Sequence, residues 1–312
     1  MENKRQGIDF YGKRKIFIGI SLVIFAIGIV FNVINGTKLD IQFSGGAMIR
    51  YAVTDGEVTA DEVETFVDDT LGKECSVSLS RGIVNESELY VTIAFAGNQT
   101  ITLDEQTSLA DSLSEKFEGL TFTIEESSSV DPVMGRSFFL KCIVCVLITV
   151  AFLLIYIGIR FRKIGGISAG ITAIMAILHD ILIVYFFFVV FKMPIDDIFI
   201  AIILTILGYS LNDTIVIYDR IRENAAKLGR KANYAEIVNL SLNQTLKRSI
   251  LTSLTTFMAL LVVGIVAFVY GITTVTTFAF PMMIGIVVGC YSSVCLAVPV
   301  YGMWKMRKKK SK

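Results

Sequence analysis

Thr205-Ile-Leu-Gly-Tyr-Ser-Leu-Asn-Asp-Thr-Ile-Val-Ile-Tyr-Asp-Arg-Ile-Arg-Glu-Asn224 decides how the chain is read. Its first part belongs to an apolar run, residues 197–218, long enough to cross a bilayer as a helix. Asp213 lies inside that run, about 9 Å of helix rise before Asp219, where the segment turns polar. A carboxylate at that depth costs several kcal/mol unless it is protonated, paired or wet. Asn212, Ser210 and Tyr209 add polar groups beside it, and Tyr209 stands one turn earlier on the same helix face. An ionisable group buried in a span is a functional candidate by default.

The chain around this segment has a membrane protein's composition. Its 312 residues are 54% hydrophobic, with a mean hydropathy of +0.65, above the 45–50% apolar share of soluble domains. Five further runs reach spanning length: residues 16–34, 137–159, 164–191, 248–270 and 275–304. The first run is longer than a signal-peptide core and lacks a clear small-residue cleavage site, so it reads as a retained span. Gly165-Gly166, Gly170, Gly264, Gly285 and Gly289 suit close helix contacts. Pro281 is expected to kink the last span.

Charge sets the expected orientation. Of the 29 Lys and Arg residues, 21 fall in residues 1–15, 160–163, 219–248 and 305–312, all on one side of a six-span arrangement. By the positive-inside rule that side is cytoplasmic, so both termini are expected there. Residues 219–247 read as an interfacial amphipathic helix or a solvated connector. The basic 305–312 tail reads as a topology determinant that meets anionic lipid.

Residues 35–136 lie on the outer side. Between Thr37 and Asp131 there are 19 acidic and 5 basic residues, a net charge of −14, which argues against nucleic acid as a partner. The pattern predicts a strand over Gln42–Val53 broken near Gly45-Gly46, a helix over Thr59–Leu71 with a Thr59/Glu62 capping box, and strands over Ser76–Arg81 and Leu89–Phe95 about a turn at Val84–Ser87. A second helix over Leu103–Phe117 and a strand over Leu120–Glu126 complete a β-α-β-β-α-β order, the ferredoxin-like pattern. The expected fold class is an all-α bundle of six spans carrying an inserted α+β domain outside the membrane.

Other ionisable groups lie at membrane depth. Arg248 opens the fifth span. Because the fourth and fifth spans run antiparallel, it is expected at the depth of Asp213, where each would ease the other's desolvation. His179-Asp180 lies midway along the third span, and His179 is the only histidine. It reads as a proton relay or as a polar contact between helices. As neighbours about 100° apart on a helix, the two need not act together. Tyr209, Asn212 and Asp219 are placed in the same relay-or-contact group. Cys142-x-x-Cys145 has redox spacing but sits in a span without partner ligands and reads as packing. No phosphate loop, zinc spacing or nucleophilic triad is present, so neither an enzyme, a metal site nor a cofactor is expected.

Several motifs together resemble the SecF family of bacterial translocation subunits. They are Ile8-Asp-Phe-Tyr-Gly-Lys-Arg-Lys15, Leu39-Asp-Ile-Gln-Phe-Ser-Gly-Gly46, Ala176-Ile-Leu-His-Asp180, Gly208–Asn224, Asn239–Ser249, Thr252–Thr256 and Ser292-Ser293. Gln42 and Ser44 depart from the family's usual Asp and Thr. The resemblance implies a resistance-nodulation-division type of membrane unit that pairs with SecD and uses the proton gradient to assist the SecYEG channel from the outer side. Exported polypeptides would be its substrates and YajC a further neighbour. It places Asp213 and Arg248 at the family's proton-transport positions. The alternatives are a half-transporter for lipid or drugs, and a scaffold that only stabilises the translocon.

Overall fold

The computed structural model describes residues 7–310 except 55, 57, 82–88, 97–100, 118 and 230–232. The expected turn at Val84–Ser87 lies outside the described residues. Six helical stretches are long and apolar enough to span a membrane. They are α1 (Arg14–Asn35), α5 (Pro132–Arg160), α6 (Gly166–Val190), α7 (Asp197–Leu228), α8 (Tyr234–Val269), and a composite of α9 (Thr273–Tyr291), a π-helical turn (Ser292–Ala297) and α10 (Val298–Lys310).

Between α1 and α5 lies a smaller unit. Its elements are α2 (Ile41–Ser44), β1 (Gly46–Thr54), α3 (Ala60–Leu71), β2 (Ser76–Arg81), β3 (Leu89–Ala96), α4 (Leu103–Lys116) and β4 (Thr121–Val130). The strands form an antiparallel sheet in the order β2-β3-β1-β4. Alternation along β1 buries Ala47, Ile49, Tyr51 and Val53, and β3 adds Val91, Ile93 and Phe95 to the same core. Val63 and Val67 of α3 and Leu109 and Leu113 of α4 join that core, so both helices cover one sheet face. Both helices open with the reciprocal capping box that their sequences encode, Thr59 with Glu62 and Thr102 with Glu105.

The expected strand over Gln42–Val53 is corrected here. Asp40 accepts a bond from the Gln42 N–H at 2.9 Å and caps the single turn α2, and β1 starts only at Gly46. The break is a close-contact site rather than a weak point in a strand. Gly45 (φ +76°) and Gly46 (φ +128°) take left-handed conformations, and a Cβ on Gly46 would lie 1.9 Å from the Phe95 carbonyl oxygen. The Gly45 amide in turn lies 2.8 Å from where a Cβ on Gly135 would sit, so α2 rests directly on the start of α5. Phe43 packs there against Phe138 and Phe139.

A main-chain bridge ties this base to α7. Ile195 donates to the Lys38 carbonyl at 2.9 Å, and Asp40 donates to the Ile195 carbonyl at 3.1 Å. The next residue, Asp196, caps α7 by accepting from the Phe199 N–H at 2.9 Å. Burial, reinforced by the nearby Asp197 and Asp40 charges, pushes Asp196 up to about 6. The folded chain thus holds this proton more tightly than the unfolded chain. The resulting stabilisation is complete below the ordinary carboxylate range and is lost as pH rises through about 6. Asp196→Asn keeps the cap but cannot ionise. Its thermal midpoint should exceed the parent's at neutral pH and fall less between mildly acidic and neutral pH. Matching pH slopes in the two proteins would contradict this assignment.

Two expectations about the other side also change. Among the described residues, 219–228 and 234–247 belong to α7 and α8 rather than to a separate interfacial helix or a long connector. α7 and α8 continue beyond their apolar runs as a helical pair, because Asn224 donates to Ser241 Oγ and Gln244 Oε1, both at 2.9 Å, and Arg220 donates to Gln244 at 2.6 Å. Ion pairs of Glu223 with Arg220 and Lys227 support the α7 extension. The amino-terminal segment docks on α8. Asn243 and Asn239 accept from the Ile8 and Tyr11 N–H groups, each at 2.9 Å, and Asn239 donates to Asp9. In the last span Pro281 lies within α9, and the described departure from α-helical bonding falls later, at Ser292–Ala297.

Candidate functional site

The buried stripe of α7 runs through Ile206, Ser210, Asp213, Thr214, Ile217 and Ile221, at helical spacing. Asp213 is 5% exposed. The α8 groups that act on it are Ser249 and Arg248, and Cys290 of α9 is close enough to feel its charge. Asp213 Oδ2, Tyr209 Oη, Ser249 Oγ and Ser253 Oγ are all buried and make no hydrogen bond of ordinary geometry, although Ser249 lies near Asp213 and Ser253 near Cys290. Each such group costs about 1–3 kcal/mol if left unpaired. Tyr209 and Asp213 are one turn apart on α7, and Ser249 and Ser253 one turn apart on α8. The four therefore form a polar lining between two helices at membrane depth, a setting that suits proton or water exchange.

Arg248 acts on Asp213 through its charge, without an ion pair between them. It is exposed at the start of the apolar part of α8 and lines an open cleft with Val216, Asp219, Arg220 and Gln244. Its charge reaches Asp213 across that short distance, while its guanidinium points to the cleft side. Asp219 makes contacts between helices and along its own helix. It pairs with Arg160 at 2.9 Å and Arg222 at 3.0 Å, fastening the end of α5 to α7. Asn212 faces outward from the bundle, on a stripe with Ala201, Thr205 and Gly208.

His179 and Asp180, which as helix neighbours need not have met, lie within hydrogen-bond reach of each other. His179 Nδ1 is 3.0 Å from Asp180 Oδ1, and both residues are buried. Asp180 Oδ2 accepts from Ser210 at 2.7 Å and from Ser292 at 2.8 Å. The pair thus lies inside the bundle. Ser21, Tyr291, Ser249 and Ser253 were not legible as site residues. The signals available were a lone serine in the first apolar run and a Ser249/Ser253 spacing of one helical turn.

The family model for the carboxy-terminal region of SecD/SecF protein export membrane proteins matches residues 110–307, more than half of the chain and including all of these groups except Ser21. The chain belongs to the SecD/SecF family. The relative from Petrotoga mobilis, described as protein translocase subunit SecF, is 35% identical over 98% of this chain and 99% of its own length. The SecDF protein of Bacillus subtilis is 31% identical over 97% of this chain but only 39% of its own length. The solved SecDF from a Thermus species, described as a translocon-associated membrane protein, superposes with a TM-score of 0.78 at 28% identity. That likeness covers 98% of this chain and 40% of the solved one. In two of these three SecD/SecF relatives, a chain like this one is continuous with a longer second part.

Proposed function

We propose that this chain is a SecF-type translocase subunit that pairs with a SecD-type partner and uses proton movement at Asp213 to assist protein export through the SecYEG channel. The observation that carries the reading is the Asp213 carboxyl, buried at membrane depth with one oxygen unpartnered. The continuous SecDF relatives support the partner, because this chain matches only part of them.

The partner fits the outward stripes of α7 and α8. Ala201, Thr205, Gly208 and Asn212 on one helix and Gln244, Arg248, Thr252 and Thr255 on the other are exposed in the isolated chain. The threonine hydroxyls bond back to their own helices, but lipid tails are a poor environment for Asn212 and Arg248, whereas small residues and polar side chains suit a second helix bundle. The cleft at Arg248 lies on the basic side of the bundle, beside the helix turn that carries Ser249. A proton crossing 100 mV supplies about 2.3 kcal/mol, enough to bias a two-state packing of α7.

The outer unit is the moving part in this reading, a ferredoxin-like domain whose base is bonded to the start of α7 through Lys38, Asp40 and Ile195. A shift of α7 is transmitted there without crossing a flexible linker. Exported polypeptide is the substrate, and anionic lipid and YajC are neighbours. The test is export in vesicles holding this chain, its partner and the channel, measured with the gradient present and then collapsed. Export indifferent to the gradient defeats the proposal.

The termini and the 219–247 helical pair are placed in the cytoplasm, and residues 35–136 outside it. Single cysteines at Glu74 and Lys227, both exposed, check this with an impermeant thiol reagent. Glu74→Cys should label in intact cells, and Lys227→Cys only after permeabilisation. The reverse pattern would invert the topology.

A further inference from the structure

The proton coupling proposed for Asp213 leaves His179 and Asp180 without a role, yet their hydrogen bonds form a chain whose direction one phenol dictates. The Tyr291 hydroxyl has a single proton and donates it to the Phe17 carbonyl at 2.7 Å, since a carbonyl only accepts. Toward Ser21 Oγ, 3.3 Å away, Tyr291 therefore accepts and Ser21 donates. Ser21 has then spent its proton, so it accepts from His179 Nε2 at 3.0 Å. Nε2 thus carries a proton. On the other side of the ring, Nδ1 and Asp180 Oδ1 approach to 3.0 Å, which requires a proton between two otherwise repelling lone pairs. Ser210 and Ser292 both donate into Asp180 Oδ2.

We propose that His179 and Asp180 form a charge-balanced dyad, with one proton on Nε2 and another shared between Nδ1 and Oδ1, that positions the α7 turn bearing Asp213. Imidazolium with carboxylate and imidazole with carboxylic acid have the same net charge of zero. A bundle interior tolerates such a pair far better than a lone carboxylate. The dyad ties α6 to α1 through Ser21, to α7 through Ser210 and to the π-helical turn through Ser292. Ser293 of that turn donates to the Ser210 carbonyl at 3.0 Å, and Gly289 leaves room for Ser210 to sit against α9. Ser210 lies just under one helical turn before Asp213, so its two anchors set the rotation of that turn. The chain of bonds is closed at both ends. The Phe17 carbonyl takes no proton, and the serines donate inward. The dyad is therefore a positioning pair and not a conduit.

The role toward Asp213 rests on the proposed function; the proton content of the dyad does not. Because the chain has one histidine, nitrogen-15 labelling of histidine in the full chain, held in lipid nanodiscs, reports a single ring. At neutral pH Nε2 should carry a proton. A neutral ring protonated only at Nδ1 overturns the proposal. Two variants then test the role in gradient-driven export. Asp180→Leu leaves buried donors on three helices unpaired and should lower gradient stimulation at least about tenfold. His179→Gln combined with Asp180→Asn restores hydrogen bonding without an exchangeable proton and should keep about half of it or more. If the double variant assembles with the partner yet loses stimulation as fully as Asp180→Leu, the dyad transports protons and the positioning role is refuted. If instead parental export ignores the gradient, the proposed function fails while the nitrogen result stands or falls alone.

Discussion

Asp213→Asn is expected to abolish the response of export to the proton gradient, leaving the rate at the level the parent shows once the gradient is collapsed. Asparagine keeps the volume and the hydrogen-bonding reach of aspartate, so the α7 packing at Ser210, Thr214 and Ile217 is retained. It removes the one property that a proton-coupled step needs, a group that gains and loses a proton. Complex assembly with the partner should be unchanged, which separates this outcome from misfolding. Arg248→Met should also lower stimulation, because Arg248 is the cation whose charge reaches Asp213. Arg248→Lys should retain part, since the charge survives but the planar donor fork does not. The measurement is export rate with the gradient present and then dissipated, for each variant in the same vesicles. If Asp213→Asn responds as the parent does, the carboxyl is not the coupling group.

Gly46→Val should unfold the outer unit at much lower denaturant than the parent. Gly46 opens β1 at φ +128°, and its missing Cβ is what lets the strand lie against the Phe95 carbonyl. A side chain there meets backbone at 1.9 Å, so the Gly46/Ala96 pairing of β1 with β3 must open. Strained backbone alone costs about 1–3 kcal/mol, and the clash adds to it. Gly72→Ala is the matched control. Gly72 caps α3 in the left-handed region with nothing within 4 Å of its Cβ position, so only the conformational cost of about 1–2 kcal/mol applies. Protease cleavage of the outer unit in rising urea compares the two. A Gly46→Val midpoint no lower than that of Gly72→Ala would show that strand β1 tolerates displacement.

The local rules written into the chain carried far. Apolar length located the spanning helices, because a bilayer of fixed thickness demands about 20 residues per crossing. Period-2 and period-3.6 alternation located β1 to β4, α3 and α4, because one face of each element must leave water. Asp213 stood out from sequence alone, because a carboxylate in an apolar run has no local way to offset its desolvation. Where neighbours in space decided the matter, the chain was mute. Gln42–Ser44 reads as strand by composition, yet it turns because Asp40 caps it and α5 presses on Gly45. Residues 219–247 look like a connector, yet they zip into two helices through Asn224, Ser241 and Gln244, which lie on different elements.

The same division separates the two ionisable pairs. Asp213 and Arg248 were expected at similar depth because antiparallel spans bring them level. Depth alone does not fix rotation about the helix axis, and the packing of α8 turns Arg248 to the cleft while Ser249 faces α7. Adjacency left open whether His179 and Asp180 meet, because adjacent side chains diverge on a helix. Only the tertiary structure reveals the dyad, because its directionality comes from Ser21, Ser210, Tyr291 and Ser292. Those residues are far apart in the chain and meet only when α1, α6, α7 and the π-helical turn pack. Sequence determines which groups are too costly to leave alone in a membrane; packing determines which partners resolve that cost, since hydrogen bonds are short and directional and helix rotation is set by every neighbour at once.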